Sequence, residues 1–270
     1  MSLTLIALLA AGLSAALAFA WGVQRWTGKS GWIDVIWSVA TGLAAIAAAV
    51  PPAGGLSGGR SLMIVCMVGL WAVRLGGHIA ARTTFHGEDP RYAALQVEWG
   101  ANFPLRLFLF LQVQALAGLA LAVSVGSAAG NPAPFPAPGD ILALVVFGIA
   151  FLGESLADRQ LEQFRRDNPG RKAVCEVGLW RYSRHPNYFF EWLGWCAYPL
   201  AAISLTGGYA FGWLALLAPA LMYLLLVHAS GIPPLEAEML ASRGEAFRAY
   251  QRRVNAFFPG PRRAEQSDAG

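Results

Sequence analysis

Apolar residues run along this chain in long blocks, and polar residues gather in the short stretches that separate them. A hydrocarbon core about 30 Å thick takes roughly 20 helical residues to cross. Seven blocks meet that length, at about 3–23, 32–50, 61–81, 104–126, 139–160, 188–206 and 209–228. No β-barrel alternation appears, so the pattern predicts an all-α polytopic bundle of seven transmembrane helices. Pro51-Pro52 followed by Gly54-Gly55 and Gly58-Gly59 makes one turn, and the proline-rich run from Asn131 to Pro138 makes a stiffer one.

Composition agrees. Of 270 residues, 56% are hydrophobic and 13% charged, about half the charged fraction of a soluble domain. The net charge of +4 sits beside the apolar blocks and forms no free basic domain, which argues against nucleic acid as a partner. Cys66, Cys175 and Cys196 are dispersed, so neither a disulfide framework nor a metal site is expected. The N-terminus reads as a retained helix, not a cleaved signal. Segments 24–31, 82–106, 159–184 and the C-terminal tail hold nearly all the basic residues, while 51–60 and 127–140 hold only Arg60. With seven spans, the four basic segments fall on one face. That predicts a multi-pass protein with a cytoplasmic C-terminus and membrane lipid around it.

Asp34, Arg74, His78, Glu154, Glu191 and His228 fall inside apolar blocks, where an ionisable group costs a few kcal/mol and usually faces an internal cavity. Arg74 and His78, four apart, share one helix face. Asp34 and Trp37 share another. Internal pairing, for example Asp34 with Arg74, is the plainer alternative, and His228 reads as interfacial.

The densest polar cluster is Gly178-Leu-Trp-Arg-Tyr-Ser-Arg-His-Pro-Asn-Tyr-Phe-Phe-Glu191. This run resembles the C-terminal motif of the steroid 5-alpha-reductases, their bacterial branch most of all, and more distantly that of the sterol C14 and C7 reductases. The likeness takes in Glu154-x-x-x-Asp158, Gln163-Phe-Arg-Arg166 and the tail from Phe247 to Pro259; before residue 125 it is weak. Phe190 departs from it, standing where many relatives carry glycine. The Arg-His-Pro-x-Tyr core also occurs in isoprenylcysteine carboxyl methyltransferases and phospholipid methyltransferases, so an S-adenosylmethionine-dependent membrane methyltransferase is the alternative. Asn187, Glu191 and the extra N-terminal helices favour the reductase.

The resemblance implies a monomeric seven-helix protein of the bacterial inner membrane. In it, helices 1–4 (1–130) handle the substrate, helices 5–7 with the tail (131–262) bind NADPH from the cytoplasmic side through capping loops, and 263–270 form a disordered end. It implies reduction of the C=C bond of a 3-oxo-4-ene steroid or similar lipid enone, so the partner is a small hydrophobic molecule. Cofactor contacts carry over to Asp158, Arg165, Asn187 and Glu191, with Arg184, His185 and Tyr188 in the same motif and Arg171, Arg181, Tyr182, Tyr250 and Arg253 in support. Guanidinium forks suit the phosphates of NADPH, and the chain has no G-x-G-x-x-G run for a Rossmann site. In that family a glutamate on the second helix and a tyrosine on the third hold the ketone. Asp34 occupies the acid's place, and a buried carboxyl that keeps its proton can donate. No tyrosine is evident on the third span, so Arg74 or His78 is expected to assist. Tyr92 lies beyond it, in a loop with His86, Glu88 and Arg91.

Overall fold

The computed structural model describes residues 1–50, 58–85, 89–170, 173–204 and 208–263. Of the described residues 82% are helical and none lies in a strand. The helices are α1 (Leu3–Thr27), α2 (Gly31–Ala49), α3 (Gly59–Phe85), α4 (Pro90–Trp99), α5 (Phe103–Ala129), α6 (Pro138–Asp167), α7 (Pro186–Ala202), α8 (Leu217–Tyr223), α9 (Ile232–Arg243) and α10 (Glu245–Arg253). Among the described residues six helical stretches are long and apolar enough to cross a membrane: Leu3–Thr27, Gly31–Ala49, Gly59–Thr84, Arg91–Ala129, Pro138–Asp167 and Ala210–Arg243. The expected seventh, over 188–206, is α7, which has 17 residues. At 1.5 Å per residue that is about 26 Å, short of the hydrocarbon thickness. The last apolar block is irregular, with a 3-10 helix at Ala210–Leu216, then α8, then a π-helix at Leu224–Ala229. The end expected to fray, 263–270, lies outside the described residues from 264 onward.

Packing divides the chain into two units. One comprises Met1–Leu144 and Cys196–Ala218; the other comprises Val145–Trp195 and Pro219–Gly270. The boundary falls inside α6 because that helix runs unbroken from Pro138 to Asp167, so its two halves join different cores.

In the first unit α2 packs on α1, α3 and α5. On α1 the buried residues Leu9, Leu13, Leu17 and Ala20 recur at helical spacing. On α2 the buried residues are mostly small, and small residues let helices approach closely in lipid. A Cβ on Gly42 would stand 2.5 Å from that of Ala72, and one on Gly118 would stand 2.7 Å from the Thr41 hydroxyl. Polar side chains cross-link the helices. The Ser14 hydroxyl donates to Gln112 Oε1 at 2.6 Å, and the Trp37 indole donates to the Gln114 carbonyl at 3.0 Å.

In the second unit Phe247, Tyr250 and Val254 of the tail form a core with Val174, Met239 and Leu240. Phe189, Trp192, Tyr223, Phe257 and Phe258 make a second, aromatic cluster with centroids 5.0–6.2 Å apart. The Phe190 ring lies where a Cβ on Gly153 would be 2.5 Å away. The bulk at position 190 is therefore taken up by a glycine on α6.

Candidate functional site

Two polar clusters stand out, one in each unit. The first is the run 178–191. Gly178 adopts φ +56 and opens a 3-10 turn at Gly178–Arg181. Its left-handed backbone favours glycine, and a Cβ there would lie 2.3 Å from the Gln160 carboxamide. That carboxamide accepts the Leu179 N–H at 2.8 Å, and the Trp180 indole donates to the Ala157 carbonyl at 2.9 Å. The turn is thus fastened to α6. Gly178→Ala is expected to cost about 2 kcal/mol of stability through backbone strain and displacement of Gln160. The thermal midpoint in detergent measures this, and an unchanged midpoint would show the turn is not held there.

From Trp180 onward the run is also fastened to the tail. The Arg184 N–H donates to the Asn255 carbonyl at 2.8 Å, and the Gly260 N–H to the Tyr182 carbonyl at 3.0 Å. The Ser183 hydroxyl donates to the Phe257 carbonyl at 2.8 Å, and the Tyr250 hydroxyl to the Trp180 carbonyl at 2.5 Å. Burial pushes the Tyr250 phenol well above its ordinary range and so keeps it a donor. The Arg184 guanidinium donates to Glu236 at 2.7 and 3.2 Å and to the Val254 carbonyl at 2.5 Å, and His185 Nε2 meets Glu236 Oε1 at 2.9 Å.

The expected cofactor residues therefore separate into groups. Arg184, His185 and Tyr250 hold the chain to itself, and Arg253 pairs with Glu176 at 2.9 Å. Asp158 and Asn187 are brought together, with Asn187 Nδ2 donating to Asp158 Oδ1 at 3.3 Å. One turn further on, Glu191 is buried and accepts from the Trp195 indole at 2.9 Å. Tyr188 stacks on His185 with centroids 5.5 Å apart. Arg165, Arg181 and Tyr182 are exposed. Arg171 lies outside the described residues. Sequence reading did not single out Glu236, and its only signal is an acid shortly after Pro233-Pro234 in an otherwise apolar start to α9.

The second cluster surrounds Asp34 on α2. Its Oδ1 accepts from the Tyr92 hydroxyl at 2.9 Å, and its Oδ2 from the Arg91 guanidinium at 2.5 Å. Arg91 also donates to both oxygens of Asp89 at 3.0 Å, and Asp89 takes Arg82 at 2.9 Å. Tyr92 and Arg91 come from α4, whose N-cap Asp89 accepts the Arg91 N–H at 3.0 Å, with Pro90 at the first helical position. Tyr92 is 3% exposed, so its hydroxyl needs the partner it has. Arg74 is half-buried and His78 exposed on α3, and neither is among the groups that reach the Asp34 carboxylate. Glu154 is buried on α6, and His228 is exposed in the π-helix. Among the described residues no group of three or more His, Cys, Asp or Glu could hold a metal ion.

A family model described as a protein of unknown function (DUF1295) matches residues 20–254, a stretch that includes both polar clusters. The chain is also 27% identical over 269 residues to an uncharacterized protein of Schizosaccharomyces pombe, covering 88% of this chain and 75% of that one.

Proposed function

The chain belongs to the DUF1295 family, and on that premise we propose that it is an integral membrane, NADPH-dependent reductase of the C=C bond of a steroid or similar lipid enone. The family is associated with steroid 5-alpha-reductase-like membrane proteins. One observation carries the reading: a carboxylate on α2 and a phenol, Asp34 and Tyr92, are joined at 2.9 Å in the helical unit that precedes the motif. An enone reductase must stabilise the negative charge that develops on its ketone oxygen, which a phenol held by a carboxylate can do, and methyl transfer makes no such demand.

NADPH, when bound, supplies the hydride that reaches the carbon β to the ketone. The residues present suit the molecule in part. Arg184 and Arg253 are bound to Glu236 and Glu176, so the phosphates fall to the exposed guanidinium of Arg181. Asn187 offers both a donor and an acceptor, and Asp158 and Glu191 offer acceptors, which suits a carboxamide and ribose hydroxyls. At the ketone, the chain must present donors where negative charge develops on oxygen. Arg91 supplies an N–H. The single Tyr92 O–H, accepted by Asp34 Oδ1 at 2.9 Å when no ketone is bound, turns to the ketone oxygen when substrate arrives, with Asp34 holding both side chains in place. The assisting role expected for Arg74 or His78 passes to these two. The basic residues around the motif favour a cytoplasmic site, with the C-terminal tail on that side of a bacterial inner membrane.

The test is the small molecule that co-purifies in detergent, read by mass and absorbance and followed by NADPH titration. NADP(H) is the expected result. S-adenosylmethionine or its demethylated product would overturn the reading in favour of a methyltransferase.

A further inference from the structure

In the second unit the Glu236 carboxylate collects three side chains. Arg184 donates to it at 2.7 and 3.2 Å, Gln251 Nε2 donates at 2.7 Å, and His185 Nε2 lies 2.9 Å away. A carboxylate paired with arginine only accepts, so the imidazole must donate and its proton sits on Nε2. The ring is 3% exposed, and burial holds its pKa below the ordinary value against the pull of Glu236. It is therefore a neutral imidazole with a lone pair on Nδ1.

That Nδ1 is buried and has no hydrogen-bond partner among the described residues. The Tyr188 ring lies on the imidazole at 5.5 Å and 13°, and the His185 N–H is occupied by Ser183 Oγ at 3.1 Å, so the ring is fixed in place. A buried acceptor left unmet costs roughly 1–3 kcal/mol, and buried polar atoms normally find partners.

We propose that Glu236 is a positioning residue that fixes His185 as a hydrogen-bond acceptor, through Nδ1, for an N–H or O–H donor of the bound ligand. The inference rests on the dinucleotide reading above, in which the donor is the nicotinamide carboxamide or a ribose hydroxyl. Glu236 need not touch the ligand. It sets which ring nitrogen carries the proton, as second-layer carboxylates do for other functional histidines.

The tautomer can be read directly from the histidine side-chain nitrogen resonances of isotopically labelled full-length protein in detergent, with the His185 signals assigned by their loss in His185→Gln. Without ligand, Nε2 should give a protonated-type signal and Nδ1 an unprotonated one. Saturating NADPH should shift the Nδ1 signal toward the protonated range. Glu236→Gln, which can donate as well as accept, should give a mixture of tautomers and about tenfold weaker NADPH binding. An analogue with acetyl in place of the carboxamide separates the two donors. Tenfold weaker binding of the analogue identifies the amide, and an unchanged affinity and Nδ1 shift identify a ribose hydroxyl. A proton on Nδ1 in the wild-type protein overturns the inference. So does NADPH binding without a shift at Nδ1, or a Glu236→Gln variant with wild-type tautomer and affinity; the reductase reading survives all three. Failure of NADPH to bind at all overturns both.

Discussion

Replacing Tyr92 with Phe lowers turnover of an enone substrate by about 10²–10³-fold, the range seen when one donor to a developing oxyanion is removed. The ring is 3% exposed and phenylalanine fills the same space, so packing is kept while the hydroxyl is lost. KM should change little, because the donor's contribution rises as charge builds on the ketone oxygen. Asp34→Asn should be at least as damaging. The amide oxygen can accept from the Tyr92 hydroxyl or from Arg91, whose guanidinium meets Asp34 at 2.5 Å, but the NH2 that replaces the other oxygen accepts nothing, so one of the two donors loses its partner. Asp34→Asn should therefore also lower the thermal midpoint, whereas Tyr92→Phe should barely move it. That difference separates chemistry from scaffolding. Full turnover in Tyr92→Phe, or full turnover with unchanged substrate affinity in Asp34→Asn, would place the ketone elsewhere.

The pair itself was half legible. Asp34 stands out because a lone carboxyl in an apolar block is costly. Its partners were obscured because α4 has only ten residues and too little apolar character to announce a helix inside a polar segment. Asp89-Pro90 was the available signal, an N-cap residue followed by proline at the first helical position. Read as loop, the segment gives Tyr92 and Arg91 no direction. A short capped helix reverses that, because its first turn carries both side chains to one carboxylate.

The run 178–191 shows the opposite limit. Its density of polar groups is plain in sequence, and so is the inference that such groups bind something. Sequence did not show that part of what they bind is the chain's own tail. Arg184 and Glu236 are 52 positions apart, and Tyr250 closes on the Trp180 carbonyl over 70. No local pattern links residues so far apart. Helix positions fared better, because hydrocarbon thickness fixes their length before any tertiary contact forms. The exception is the last block, where the π-helix at Leu224–Ala229 has no compositional mark.

Arg60 gives the other large effect. In sequence it is a single basic residue beside a turn, the one exception in two segments otherwise free of positive charge. In the structure its side chain is 6% exposed and that of Asp140 is 1% exposed. The guanidinium meets both carboxylate oxygens at 2.7 Å and donates to the carbonyls of Asn131, Ala133 and Pro134 at 2.6, 2.8 and 3.3 Å. Asp140 also accepts the Ala137 N–H at 2.8 Å, in the first turn of α6. One side chain thus ties the start of α3 to the proline-rich segment and to α6. Arg60→Ala strands a buried carboxylate and three carbonyls, and should cost about 3–5 kcal/mol. Asp140→Asn should cost less, because the amide oxygen still accepts one N–H. Combining Arg60→Met with Asp140→Leu should recover part of the loss, because it removes both charges at once and leaves only the carbonyls and the Ala137 N–H unmet. Thermal unfolding of the variants in one detergent gives the comparison. If Arg60→Ala lowers stability by less than about 1 kcal/mol, the range for an exposed ion pair, then the pair is not buried in the folded protein.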